Sequence, residues 1–397
     1  MKSVLIFVAL ALGLGRGAQP QKKQKLLLIS FDGFRYDLLN ASLVPSMARW
    51  ANEGSWFVNG VQSQHLTVTA PNHHSIVTGL RENEHGIVGN FFYDTALGRR
   101  YDAFNDTQQP GIVEASEKNE WYGGTTIWQA NQRAGGHSAV FNWPGGNAEG
   151  AQAEGVHYEV WREHDTANST RKAVDSIVAA LIGGANLVGW YVDQPDTNLH
   201  HHGFYDGELV KTLTMLDRTF LYLIAQLKVK GLLSSTNIIL TADHGHAQVS
   251  TGKGLCVNRA LAPLKDGVDY HAADHSIFPT SEDIGRTIFE TLNKTITERS
   301  LDIALMWKKN IPTNLHWSHP TRVGAIYLQP QPGTDMGMLC HENRIEEVSG
   351  TSAHGYDPKL KEMRALLVMN GPAFRKGAKI EEVPENIDLY GLMAGIL

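Results

Sequence analysis

Six short apolar runs rich in branched residues recur along the chain: Leu26–Phe31, Ala139–Trp143, Leu187–Val192, Asn237–Thr241, Gly324–Leu328 and Ala365–Met369. Runs of this length and composition are the pattern of buried strands. Between several of them the period changes to three and four. From Gly207 to Lys228, Leu209, Leu213, Leu216, Phe220, Leu223 and Leu227 fall on one stripe of a helix. Thr170–Ile182 and Ser281–Leu292 repeat the pattern, the first opening on Ser and Thr caps. Strands alternating with helices predict an α/β fold, with a mostly parallel central sheet and helices on both faces. No internal repeat, low-complexity tract or Pro-rich linker breaks the sequence, so residues 19–397 read as one domain.

Composition changes this picture little, and charge narrows it. Of the 397 residues, 42% are hydrophobic and 19% charged, which is ordinary for a globular chain. A net charge of -6 leaves no basic footprint, so an extended nucleic-acid-binding surface is not expected. A nucleotide as a small substrate is not thereby excluded. At the N-terminus, Lys2, the apolar run Val4–Leu14 and the small residues Gly15, Gly17 and Ala18 predict a signal peptide over residues 1–18. That run is too short to span a bilayer, and no second span follows it, so a secreted, extracellular protein is expected. Sequons beginning at Asn40, Asn105, Asn168 and Asn293 agree with export. An oxidising compartment favours, by a narrow margin over two buried thiols, a disulfide between the two cysteines, Cys256 and Cys340. The last residues before Leu397 read as an amphipathic helix, beyond which a further C-terminal segment is conceivable. Oligomeric state is left open.

Ligands of such sheets sit beyond the carboxyl ends of the strands. Asp32, Asp196 and Asp243 each follow one of the apolar runs. A single carboxylate there more often caps the next helix; three, two of them with histidines alongside, favour binding. His200 stands four residues after Asp196, His244 follows Asp243, and His354 lies between small residues in SAHGYD. Carboxylate oxygen with imidazole nitrogen suits zinc. His201, His202, His246 and His275 are read as solvated loop histidines. In LTVTAPNHHSIVTGL, Pro71 marks the first turn of a helix reaching about Thr78, which sets Thr69 at its N-terminus. There the free N–H groups and the dipole favour a phosphate. Thr69 is thus either an N-cap or a nucleophile, and spacing does not separate the two.

The segments SFDGFR, TAPNHHSIVTGL, NEHGIVGNFFYD, PDTNLH, TADHGH and HGYD occur in one order, and in it the chain resembles the nucleotide pyrophosphatase/phosphodiesterase family of the alkaline phosphatase superfamily. The likeness runs from about Lys25 to the end. It implies an alkaline-phosphatase-like fold, a phosphodiesterase catalytic domain and two zinc ions. Asp196, His200 and His354 match the ligands of one ion; Asp32, Thr69, Asp243 and His244 match those of the other. It further implies that Thr69 attacks phosphorus to give a threonyl-phosphate, and that Asn90 donates to a nonbridging phosphate oxygen. The substrate implied is a small phosphodiester or a nucleotide.

The chain departs from the family around the pocket. Ala70 follows Thr69 where nucleotide-cleaving members often carry an aromatic. WPGGN, Trp143 to Asn147, replaces a small residue and Asp, and is similar to the member that cleaves choline phospholipids. Trp161 falls where a Tyr commonly faces the base, with an ordinary core aromatic as the equal alternative. Trp143, Asn147, Trp161 and Asn90 are therefore the candidate substrate contacts. The alternatives to nucleotide cleavage are a choline-phosphodiesterase on the same site, a phosphomonoesterase, and a catalytically silent secreted binding protein. A sulfatase is excluded, because neither cysteine lies in a C-x-P-S-R context.

Overall fold

The run Leu26–Phe31 is buried without a break, as a strand covered on both faces must be. The computed structural model in which this is seen describes residues 24–104, 113–114, 117–159, 165–264, 269–338, 340 and 351–397. The signal-peptide stretch, the sequon at Asn105 and Trp161 lie outside the described residues.

In chain order the strands that place the site are β1 (Lys25–Phe31), β2 (Ser55–Phe57), β3 (Ser138–Phe141), β4 (His157–Glu159), β5 (Leu187–Val192), β6 (Thr236–Thr241), β7 (Tyr270–Ala273), β8 (Ser276–Pro279), β9 (Ile303–Trp307), β10 (Ile326–Pro330), β11 (Leu367–Asn370) and β12 (Ala378–Ile380). Eight of them form the central sheet in the order β12-β2-β11-β6-β1-β5-β3-β4. All neighbours run parallel except at β11, which is antiparallel to both β2 and β6. The chain reaches β11 from the edge where β6 ends, with Leu367 opposite Thr241, so it can only enter the sheet reversed.

Gly324–Leu328 does not join this sheet. It becomes β10, in a second, antiparallel sheet of order β7-β8-β10-β9 with its own core of Ile277, Ile288, Leu292 and Leu328. An apolar run fixes burial, not the partner, and here the partners are β8 and β9, the two strands that precede it in the chain.

The helices used below are α1 (Thr69–Thr78), α2 (Ala167–Ile182), α3 (Asp196–His202), α4 (Glu208–Val229), α5 (Glu282–Glu298) and α6 (Asp388–Ile396). The six stripe residues of α4 are all at most 3% exposed, so the periodic face is the one that packs. α2 starts earlier than its apolar period implies, because Thr166 caps it by accepting from Ser169 N–H. α5 opens on Ser281 as expected and runs on past Leu292, since Ile296 continues the buried stripe. α2 packs along α4 and the strands β3 and β5, while α1 packs against α6. Cys256 and Cys340 are joined by a disulfide, with Cα atoms 6.0 Å apart. The sequon residues Asn168 and Asn293 are exposed.

Candidate active site

Strand register builds the site. Ser30 of β1 lies opposite Tyr191 of β5 and Thr241 of β6, so Asp32 and Asp243, each two residues further on, leave the sheet at one edge. Asp196 opens α3 beside them, its N–H donating to Asp32 O at 3.0 Å. Gly33 turns between them at φ +66°. A Cβ there would lie 2.9 Å from Asp196 Cβ and 2.8 Å from the His246 ring, so only glycine lets the three segments meet.

The inner cluster is Asp32, Asp243 and His244, all buried. Asp32 Oδ2 accepts from the Tyr191 hydroxyl at 2.6 Å, and Asp243 Oδ1 accepts from Gly33 N–H at 3.1 Å. His244 Nδ1–H donates to Gly245 O at 3.1 Å, which leaves a lone pair on Nε2. That nitrogen lies 3.1 Å from Asp243 Oδ2 and 3.6 Å from Asp32 Oδ1. Asp32 Oδ1, Asp243 Oδ2 and His244 Nε2 are thus buried atoms without a hydrogen-bond partner. Burial, and then the neighbouring Asp243 and Asp196, push the Asp32 carboxyl well above the usual carboxylate range. Burial also acts on Asp243, but His244 and His73 outweigh it and hold its carboxyl low. Three unpartnered electron-pair donors pointed at one another fit a divalent cation.

The outer cluster is Asp196, His244, His246 and His354, whose ligand atoms all lie within 4.8 Å of one another. His354 Nδ1–H donates to Thr67 O at 2.8 Å, fixing Nε2 as the free nitrogen. His354 Nε2 stands 3.0 Å from His200 Nε2 and 3.5 Å from Asp196 Oδ1. His200, 41% exposed at its side chain, lies at 3.5 Å from the same oxygen. Burial raises the Asp196 carboxyl, yet His200 and His246 overcome it and keep it well below its usual range.

Two histidines read as solvated are not. His246 is fully buried with Nε2 2.6 Å from Asp196 Oδ1. His275 is 7% exposed and packs under Gly355, where a Cβ would come within 2.7 Å of its Nε2. Histidine looks polar in sequence, but a neutral ring with both nitrogens satisfied buries readily. His201 and His202 are exposed as expected.

Thr69 is the first residue of α1, and the N-cap is Val68, so capping is not its role. His73, one turn on, joins this helix to the clusters. Its Nδ1 lies 2.9 Å from Thr69 O and 3.5 Å from Asp243 Oδ2, and its Nε2 lies 2.8 Å from Ser30 Oγ. Asn90 Oδ1 accepts from Ala70 N–H at 2.8 Å, which ties it to the same helix start and leaves its NH2 free to donate. Asp274 holds Asn90 from behind, accepting from the N–H groups of Asn90 and Phe91. Burial pushes the Asp274 carboxyl up to about 7.

Of the pocket candidates, Trp143 is fully buried, its ring 5.1 Å from His73 and its Nε1–H directed at His73 O, so it supports α1 and offers no face to a ligand. Asn147 is half-buried, its amide 3.5 Å from Glu117 Oε1. Sequence reasoning passed over Tyr191, His73, His246 and Asp274. Of these, His246 stood in TADHGH, His73 in TAPNHHSIVTGL and Tyr191 in the run Leu187–Val192, all segments already singled out; Asp274 stood in none.

A mixed α/β sheet carrying two carboxylate–histidine clusters at its strand ends, above a helix N-terminus, defines an alkaline-phosphatase-like hydrolase. The family model of type I phosphodiesterase / nucleotide pyrophosphatase matches residues 26–357, and the chain belongs to that family. It is a phosphoric diester hydrolase with nucleotide pyrophosphatase/phosphodiesterase activity. It is 31% identical to the bis(5'-adenosyl)-triphosphatase enpp4 of Xenopus laevis, over 94% of this chain and 77% of that protein. It is 28% identical to ectonucleotide pyrophosphatase/phosphodiesterase family member 1 of Mus musculus, over 94% of this chain and 40% of that protein. Murine ectonucleotide pyrophosphatase/phosphodiesterase 5 superposes with a TM-score of 0.79 at 27% identity, covering 94% of each chain. A solved structure of an inactive threonine-to-alanine form of that murine protein holds AMP. Among the described residues, no helix is long and apolar enough to cross a membrane.

Proposed function

We propose that the chain is an exported, two-zinc nucleotide phosphodiesterase in which Thr69 is the nucleophile and a nucleoside polyphosphate the substrate. The observation that carries this is the set of unpartnered buried atoms, Asp32 Oδ1, Asp243 Oδ2 and His244 Nε2, linked through His73 to the helix that Thr69 begins. Asp32, Asp243 and His244, with Thr69, would hold one zinc; Asp196, His200 and His354 would hold the other. Zinc at these positions supplies Lewis acidity, favouring the alkoxide form of the hydroxyl and neutralising charge on the phosphoryl oxygens.

The residues of the chain do the rest. Thr69 Oγ1 attacks phosphorus in line; the bond to the leaving oxygen breaks as the bond to Thr69 forms. The free NH2 of Asn90, held by Ala70 N–H and backed by Asp274, donates to a nonbridging oxygen as charge builds there. Water then displaces Thr69 from phosphorus and restores the hydroxyl. The N–H groups at the start of α1 favour the anion throughout.

The relatives favour a nucleotide over a choline phospholipid, one being named as a bis(5'-adenosyl)-triphosphatase and another solved with AMP. The test is to offer the purified protein diadenosine triphosphate, sphingomyelin and p-nitrophenyl phosphate in parallel, with and without prior chelation. Release of AMP from the dinucleotide at a kcat/KM at least tenfold above the other two, lost on chelation and restored by zinc, is the expected result. Preference for the choline lipid or the monoester overturns the substrate reading, and full activity after metal removal overturns the zinc.

A further inference from the structure

His246 lies at the centre of the outer cluster, and its hydrogen bonds fix which nitrogen is protonated. Ser352 Oγ–H donates to Leu199 O at 2.9 Å. Having one proton, that hydroxyl can only accept from His246, so His246 Nδ1–H donates to Ser352 Oγ at 3.2 Å. In a neutral ring this leaves a lone pair on Nε2, directed at Asp196 Oδ1 only 2.6 Å away. Two lone pairs do not face each other at that distance without a cation or a proton between them. The ring cannot swing aside, because it is fully buried and Gly33 packs against it with no room for a Cβ. Arg35 Nη1 fixes the backbone by donating to His246 O at 2.8 Å. His354 shows the same arrangement, its Nδ1 committed to Thr67 O and its Nε2 turned to His200. A ring nitrogen tied to the protein while the other points into a cluster of donors is how metal-ligating histidines are held.

We propose that His246, through Nε2, is a fourth protein ligand of the metal assigned to Asp196, His200 and His354. The inference rests on the two-zinc reading and deepens it. One carboxylate and three imidazoles would then hold the outer ion on the half-exposed side of the site.

The alternative is that His246 carries both protons and only donates to Asp196. Glutamine separates the two, since its amide keeps a donor near the Nε2 position and is a poor zinc ligand. Metal-free full-length protein is titrated with zinc against a chromophoric chelator. Wild type is expected to bind two ions, and His246→Gln to weaken one of them at least about tenfold while leaving the other unchanged. A second measurement needs no variant: in 15N-histidine-labelled wild type loaded with cadmium-113, His246 Nε2 shows scalar coupling to the metal, as do His200, His244 and His354. Two ions bound with unchanged affinities in His246→Gln, or a His246 nitrogen without cadmium coupling, overturns the fourth ligand and leaves the two-metal reading intact. A wild type that binds fewer than two ions overturns the two-metal reading itself. If His246→Gln does not fold, the cadmium coupling decides alone.

Discussion

On the β1 and β6 side of the candidate site, two carboxylates and one imidazole meet, all three buried. On the α3 side, one carboxylate meets several imidazoles, and His200 reaches open solvent. The two halves pose different electrostatic problems. Asp32 and Asp243 bring like charges together under full burial, which pushes Asp32 far up and leaves oxygens orphaned. Such a half is costly to leave empty, so the cation proposed for it should be coupled to the stability of the fold. In the outer half burial lowers His246 to about 4 and holds His354 well below the usual imidazole range, while for His200 and His244 burial is outweighed by the neighbouring Asp196 and Asp243, which raise them. One carboxylate balanced by several imidazoles tolerates an empty site better than two carboxylates balanced by one. The inner ion is accordingly expected to be retained and the outer one to exchange.

The largest effect comes from removing the group between the halves. Thr69→Ala deletes the atom proposed to bond phosphorus while leaving every carboxylate and imidazole in place. Turnover should fall by at least about a thousandfold, with zinc content and melting temperature preserved. Because Val68 rather than Thr69 is the N-cap, no capping loss is expected. A Thr69→Ala protein that keeps normal turnover would retire Thr69 as nucleophile.

The next effect separates the halves. Tyr191 touches only the inner one, donating its hydroxyl to Asp32 Oδ2. Tyr191→Phe keeps the ring against His73 and removes that donor. The tighter zinc should weaken by about ten- to a hundredfold, and the looser one should not move. Stepwise release of zinc to a chelator reads both. Equal weakening of the two, or a wild type that releases both ions together, breaks the asymmetry.

How much of this was legible in the sequence depended on locality. β1, β5, β6, α4 and the Ser281 cap follow from period and capping within a dozen residues. The three acids at strand ends were visible because a parallel sheet sends all its carboxyl ends to one edge. What escaped was whatever register or tertiary packing decides. The partner of Gly324–Leu328 depends on which strands lie nearby, and the reversal of β11 on the route the chain takes to reach it. Tyr191 looks like one more apolar strand residue until β5 is set beside β1, where its hydroxyl meets Asp32. His246 and His275 were misread because burial of an imidazole leaves no mark on local pattern. Trp143 was read for its neighbours in WPGGN, whereas its ring is the floor beneath α1.

The smallest effect concerns a half-buried carboxylate with no cation beside it among the described residues. Asp274 lies behind Asn90, accepts two backbone N–H groups, and is pushed up to about 7 by burial. Its answer to burial is a proton, where Asp32 and Asp243 are proposed to use a metal. The sign follows from linkage. The folded protein keeps a proton that the unfolded chain releases near pH 4, so this group's contribution is full below pH 4 and is lost as pH rises towards 7. Because Asp274 as a residue is half-buried, the shift is discounted for solvent screening, and wild type should lose about 1–2 kcal/mol from this source between pH 5 and pH 8. Asp274→Asn keeps an acceptor for Asn90 and Phe91 and cannot ionise, so that part of the pH dependence should vanish. Urea unfolding of both proteins at the two pH values, with zinc saturating, isolates it, because histidines that titrate in the same window are common to both. Identical losses in the two proteins would mean that Asp274 does not exchange its proton near pH 7 in the folded state, and would overturn burial as the control on this carboxyl.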